Sequence, residues 1–322
     1  MRTDPAIPPS HKTAIVYDFD GTLAPGNIQE HSFLPKHGIK KKAFWKQVRK
    51  LAEKHDCDEI LVYMHEMLKL AKKKSAPIAR NDLKKHGSNI KLYQGVDSWF
   101  DRLNDYATER NLDLEHYVIS SGNEEIIRGC QIHDRFKQIF ASRFIYDENG
   151  IAEWPGLAIN YTTKTQYLFR INKGISNSWN NEAVNRWIPL DERSIPFERM
   201  IFIGDGDTDI PSMKMVRHQG GHAIAVFKPD IWDSSTTQKK LYNLIAEDRA
   251  NYVAPADYTK GKQLDIIVKG ILGRYARDTG FRSTPRTEAI TTLNKDADSK
   301  HEGKKAKKAL PGLSQKRQTQ CL

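Results

Sequence analysis

Cysteine is scarce in this chain of 322 residues: Cys57, Cys130 and Cys321 are all it has. They share no paired spacing and no zinc-binding pattern, which excludes a disulfide framework and leads us to expect a reducing, cytoplasmic setting. Long apolar runs are missing as well. The first residues, Met1-Arg2-Thr3-Asp4-Pro5, carry no segment of signal-peptide length, and nothing downstream approaches a membrane span, so no membrane partner is expected. His31, His37 and His55 lack a shared ligand spacing and read as surface or packing residues. Acidic residues are outnumbered, 40 Asp and Glu against 51 Lys and Arg, for a net charge of +11. No nucleic-acid module accompanies that excess, and no basic run is interleaved with aromatics.

What the chain does have is a pair of acidic strand ends. Ala14-Ile15-Val16-Tyr17 is a short apolar run, and Asp18-Phe19-Asp20-Gly21-Thr22 follows it directly. Two carboxylates one residue apart leave a strand on the same side, and the glycine turns the chain so that backbone amides can approach a ligand. Paired acids at the end of a buried strand are costly unless a metal or a proton compensates them. The pattern recurs: Met200-Ile201-Phe202-Ile203 leads into Gly204-Asp205-Gly206-Asp207-Thr208-Asp209. In an open parallel sheet ligands bind at the carboxyl ends of the strands. Two such ends together would form an all-oxygen pocket suited to Mg²⁺, with substrate phosphate oxygens completing the shell. Asp207 reads as a solvated loop residue.

The rest of the chain divides by periodicity. Residues 1–11 are a Pro-containing leader, and strand one with its acidic loop fills 12–24. From 25 to 90 the pattern is helical: Phe44, Val48 and Leu51 share one face, and Ile60, Tyr63, Met64, Met67 and Leu68 another. A helix over 97–110, a strand over 116–120 and a helix over 123–130 follow. Residues 144–152 read as a hairpin with an Asn149-Gly150 turn. Alternating strands and helices predict an α/β fold, a doubly wound parallel, Rossmann-like sheet with the hairpin attached. Residues 172–198 are an irregular excursion. From 283 to 322 the sequence loses hydrophobic periodicity, includes the cluster Lys304-Lys305-Ala306-Lys307-Lys308, and reads as a disordered basic tail. Its 9 Lys and Arg against 4 Asp and Glu give +5 of the net +11.

At this point the sequence resembles the haloacid dehalogenase-like hydrolases, in their phosphoserine-phosphatase-like branch. Asp18-Phe19-Asp20-Gly21-Thr22 is similar to the family's first signature, and the Gly204–Asp209 loop to its fourth. Tyr117-Val118-Ile119-Ser120, followed by Ser121-Gly122-Asn123, matches the second in position, and Lys164, opening a helix after the hairpin, matches the third. The resemblance covers residues 12–230. It implies a catalytic core over 12–24 and 91–282, with a helical cap inserted over 25–90 after the first strand.

The resemblance also assigns roles. Asp18 would be the nucleophile that takes the phosphoryl group, and Asp20 the acid and base that protonates the leaving alcohol and then activates water. Mg²⁺ would be held by Asp18, by Asp20 through its backbone carbonyl, and by Asp205, with Asp209 as an alternate ligand. Ser120, Ser121 and Lys164 would hold phosphate oxygens, with Lys173 the reserve lysine on spacing alone. Within the family, dehalogenases lack an acid at the second position, phosphonate hydrolases carry a small residue there, and transport ATPases a threonine. Asp20 therefore implies hydrolysis of a phosphomonoester on a small phosphorylated substrate, a phosphomutase being the alternative with the same core. A nucleic-acid-binding or polynucleotide-end role, through the basic cap (Lys40-Lys41-Lys42, Lys72-Lys73-Lys74) or tail, is a second alternative.

Overall fold

The computed structural model describes residues 11–282 apart from 207, 232 and 233. The expectations placed on residues 1–10, on Asp207 and on the tail from 283 lie outside the described residues. Strand β1 (His11–Tyr17) forms where Ala14 to Tyr17 are all fully buried, an apolar run that only a strand covered on both faces can use. It is followed by five helices: α1 (Phe33–Lys36), α2 (Lys41–His55), α3 (Glu59–Lys73), α4 (Arg80–Gly87) and α5 (Val96–Thr108). Then come β2 (Leu112–Asn123), α6 (Glu124–Arg128), β3 (Gln138–Tyr146), β4 (Ala152–Leu157), α7 (Lys164–Asn172) and the short α8 (Asn181–Asn185). The last third alternates β5 (Met200–Gly204), α9 (Ile210–His218), β6 (His222–Phe227), α10 (Ser235–Ala246), β7 (Tyr252–Pro255) and α11 (Gln263–Arg282).

Among the described residues these strands form one seven-stranded sheet in the order β4-β3-β2-β1-β5-β6-β7. Every neighbouring pair is parallel except β3 with β4. This is the expected doubly wound α/β architecture. Strand β1 sits between β2 and β5, so the chain winds outward in one direction from β2 and in the other from β5. The crevice at the carboxyl end of β1 is thus the switch point where such sheets bind ligands. One face of the sheet packs Val16, Ile119, Phe140 and Phe202 against Leu168 and Ile171 of α7 and Met213 and Val216 of α9. The antiparallel pair is the expected hairpin. Asp147 Oδ1 accepts from the N–H groups of Asn149 (3.0 Å) and Ile151 (2.7 Å), and Gly150 supplies the positive φ of 75°.

The helical insert departs from the core after β1 and returns in α4. Helices α2 and α3, of 15 residues each, pack together, with Phe44 and Val48 of one and Tyr63, Met64 and Met67 of the other buried. Helix α4 rests directly on α6. A Cβ at Gly129 would lie 1.8 Å from the Lys84 carbonyl oxygen, and one at Gly87 would lie 2.1 Å from that of Ile126, so glycine at both positions sets the approach. No helix among the described residues is long and apolar enough to cross a membrane.

Candidate active site

Strand β1 ends at Tyr17, and the Asp18 N–H still donates to the Ile203 carbonyl of β5 at 2.9 Å. That last bond fixes the two acidic loops side by side. Beyond it the chain turns sharply: the Gly21 N–H donates to the Ala24 carbonyl at 2.8 Å, and Gly21 takes a φ of 73°. A Cβ at Gly21 would fall 2.4 Å from Asp205 Oδ2, so a side chain there would collide with the facing loop. Carboxylate oxygens of Asp18, Asp205 and Asp209 lie within 4.8 Å of one another. Asp20 takes a different direction. Its Oδ1 accepts from the Ile28 N–H at 3.0 Å, and burial pushes its carboxyl up to about 7 against the lowering effect of that amide.

Lys164 stands at the first position of α7, which brings its ammonium into the same crevice. Its Nζ donates to Asp18 Oδ1 at 2.8 Å and to Asp209 Oδ1 at 2.7 Å, with all three side chains essentially fully buried. Burial opposes the lysine's charge, but the two carboxylates outweigh it and hold the ammonium protonated above the usual lysine range. Burial also raises the Asp18 carboxyl well above the usual carboxylate range, Asp209 adding to it and Lys164 opposing it. Three carboxyl groups face one ammonium there, an acidic excess that burial makes costly. A divalent cation cancels that excess. The donor set fits one of the hard, oxygen-preferring kind: Asp209 Oδ2 is buried without a hydrogen-bond partner, and a Cβ on Gly204 would lie 2.3 Å from it.

The two serines part company. Ser121 lines the cavity with its hydroxyl buried and unpartnered, whereas Ser120 is fully buried within β2 and its Oγ accepts the Gly122 N–H at 3.0 Å. Strand alternation accounts for this, since adjacent residues cannot face the same side. Lys173 lies at the far end of α7, where its ammonium donates to the carbonyls of Val184 and Arg186. So Asp18, Asp20, Asp205, Ser121 and Lys164 share one cavity of about 510 Å³, with Asp209 buried behind Lys164.

The outer half of that cavity comes from residues to which the sequence assigned no role in a site. Trp45 and Arg49 of α2, Glu59, Ile60 and Tyr63 of α3, and Tyr161 from the loop before α7 line it. Trp45 Nε1 donates to Glu30 Oε1 at 2.7 Å, and the Tyr63 hydroxyl donates to the Ser121 carbonyl at 2.7 Å. One signal was available: Trp45 stands beside the apolar stripe of α2 rather than in it, with Arg49 four residues on, the next turn of the same face.

The sequence model of the haloacid dehalogenase-like hydrolases matches residues 15–214, more than half of the chain. The chain belongs to that family. A curated relative from Borreliella burgdorferi, itself described as an uncharacterized protein, is 25% identical over 78% of this chain and 93% of its own length. Among solved structures, a haloacid dehalogenase-family hydrolase from Salmonella enterica serovar Typhi superposes with a TM-score of 0.51 at 13% identity, over 81% of this chain and 71% of that one. A probable phosphoserine phosphatase from Vibrio cholerae gives 0.50 at 14% identity, over 84% of this chain and 67% of that one. At these identities the two structures share the fold.

Proposed function

We propose that this haloacid dehalogenase-like hydrolase is a Mg²⁺-dependent phosphatase of the phosphoserine-phosphatase-like branch, cleaving a small phosphomonoester through an aspartyl-phosphate on Asp18. The observation that carries the reading is the buried triad of Asp18, Lys164 and Asp209 opening onto a cavity that also holds Asp20. Asp18 attacks phosphorus with the carboxylate oxygen that is not held by Lys164. Lys164 and the free Ser121 hydroxyl bind the equatorial phosphate oxygens, the lysine as a charge and the serine as a donor. Asp20, with a carboxyl poised near neutrality by burial, gives its proton to the leaving alkoxide and then takes one from the water that opens the acyl-phosphate. Asp18, Asp205 and the Asp20 carbonyl would hold Mg²⁺, with Asp209 supporting Lys164 and closing the shell behind it. When bound, the cation screens the approach of an anionic carboxylate to an anionic phosphate. Among the described residues the cysteines, exposed Cys57 and buried Cys130, are free thiols, which suits a reducing, cytoplasmic setting.

The test is phosphate release from a panel of phosphomonoesters, with Mg²⁺ and with a chelator, by the wild-type chain and by Asp18→Asn. Release should require Mg²⁺ and fall on the order of 10⁴-fold in the variant, with circular dichroism unchanged. Undiminished turnover by Asp18→Asn would remove the nucleophile assignment.

A further inference from the structure

The outer half of the cavity carries information about the leaving group. We infer, resting on the phosphatase reading of the inner half, that the cap residues Trp45, Arg49 and Glu59 select a leaving group of nucleoside size: a planar, uncharged heterocycle carried on a sugar, so that the substrate is a nucleoside monophosphate.

Size comes first. A cavity of about 510 Å³ lies in the range of roughly 300–1,000 Å³ that encloses a drug-sized ligand. A phosphorylated three-carbon compound would leave most of it to water. Charge comes second. Arg49 faces the cavity from α2 and makes no ion pair among the described residues, so a cationic leaving group meets an uncompensated positive charge. Glu59 faces it from the start of α3, so an anionic one meets a carboxylate. A group that is neutral but offers both donors and acceptors on its edge satisfies both, and a nucleobase does so. A zwitterionic amino acid would also engage both charges, yet it fills neither the volume nor the aromatic wall.

That wall is the third observation. The Trp45 indole N–H is already spent on Glu30, whose other oxygen pairs with Lys41 at 3.2 Å. Tyr63 stands edge-on to Trp45 with ring centroids 5.8 Å apart and an angle of 68° between the planes. Trp45 is therefore fixed in orientation, and what remains for a ligand is ring surface, with Tyr161 also at the cavity edge. A preset aromatic surface favours stacking at little entropic cost.

The experiment measures binding apart from turnover. AMP, CMP, UMP, O-phosphoserine and glycerol phosphate are titrated calorimetrically into the Asp18→Asn chain with Mg²⁺, alone and combined with Trp45→Ala, Trp45→Phe or Glu59→Gln. The nucleotides should bind at least about tenfold more tightly than the two small esters. Trp45→Ala should cut that preference about tenfold and Trp45→Phe should keep most of it. Glu59→Gln should change the order among the three bases, since it replaces an acceptor by a group that also donates; a loss of packing alone would leave that order as it is. Equal binding of small esters and nucleotides, or equal weakening of all five ligands by Trp45→Ala with Trp45→Phe no better, overturns the inference. Hydrolysis by the wild-type chain separates the two readings. Asp18-dependent turnover with no nucleotide preference leaves the phosphatase standing without this inference. Nucleotide-selective binding with no turnover of any ester leaves the binding site standing without the phosphatase.

Discussion

Asp18 and Asp20 are two residues apart on one strand end, and their surroundings differ. Asp18 is tied to Lys164, while Asp20 is turned to the Ile28 amide and raised to about 7 by burial. A group that serves as acid matters most when the leaving alcohol is a poor one. Asp20→Asn should therefore lower kcat/KM, which reports phosphoryl transfer to Asp18 and not the later hydrolysis that also uses Asp20, about 10²- to 10⁴-fold on an alkyl phosphate and much less on p-nitrophenyl phosphate, whose leaving group needs no proton. Equal losses on both esters would remove the acid role. A second residue prediction concerns stability. His116 is buried, and burial lowers its imidazole to about 3. Neutral His116 completes a chain in which Trp99 Nε1 donates to the Tyr17 hydroxyl (2.9 Å), Tyr17 donates to His116 Nδ1 (3.0 Å) and His116 Nε2 donates to Asn104 Oδ1 (2.9 Å). With a folded value below the unfolded one of about 6.5, the unfolded chain binds the proton first as pH falls. The stabilisation is complete above pH 6.5 and is lost from there down towards 3, at about 1.4 kcal/mol per pH unit. Urea unfolding at pH 7 and pH 5 should show the wild type losing about 2 kcal/mol more than His116→Gln does. Matching losses would show that His116 is not the group responsible.

At the scale of elements, the strands that carry chemistry were legible and the supporting ones less so. Strands β1, β2 and β5 announce themselves because both faces are buried, leaving unbroken apolar runs that end in acids or hydroxyls. Strand β2 was expected over 116–120 but begins at Leu112, because its first residues pair with β1 from His11 onward while remaining half polar at the sheet's rim. The choice between Ser120 and Ser121 needed the strand's phase, which a bulge beyond Ser120 makes unreadable from sequence. Contacts between elements leave fainter traces still, and Gly129 is an example. An alanine there would place its Cβ 1.8 Å from the Lys84 carbonyl and drive α4 off α6, at a cost of about 1–3 kcal/mol. The same substitution at Gly270, inside α11 with nothing near the added methyl, should stabilise by about 0.5–1 kcal/mol. Thermal unfolding of Gly129→Ala and Gly270→Ala should thus move in opposite directions. A shift of the same sign in both would mean that the close approach of α4 and α6 does not limit stability.

For the molecule as a whole, the outstanding question is what holds the helical insert over the catalytic crevice. Among the described residues, Tyr63 of α3 and its capping residue Asp58 each make a hydrogen bond to the core, and each bond lands beside a group proposed to bind phosphate. Tyr63 donates to the Ser121 carbonyl at 2.7 Å, and Asn160 Nδ2 donates to Asp58 Oδ2 at 2.6 Å. Asp58 also caps α3 through its other oxygen, accepting from the N–H groups of Ile60 and Leu61, and the Asn160 carbonyl accepts the Lys164 N–H. This arrangement allows a clean exchange. Asn caps a helix about as well as Asp, so Asp58→Asn keeps the cap while setting two amide donors face to face. Asn160→Asp sets two carboxylates face to face. The double variant restores one donor opposite one acceptor. Each single change should raise amide hydrogen exchange along α2 and α3 and raise KM more than it lowers kcat, because substrate must then close a looser insert. The double variant should recover both. If the single variants exchange like the wild type, the bond between Asn160 and Asp58 does not hold the insert; if the double variant fails to recover, the effect lies in each residue's own surroundings and not in the bond between them.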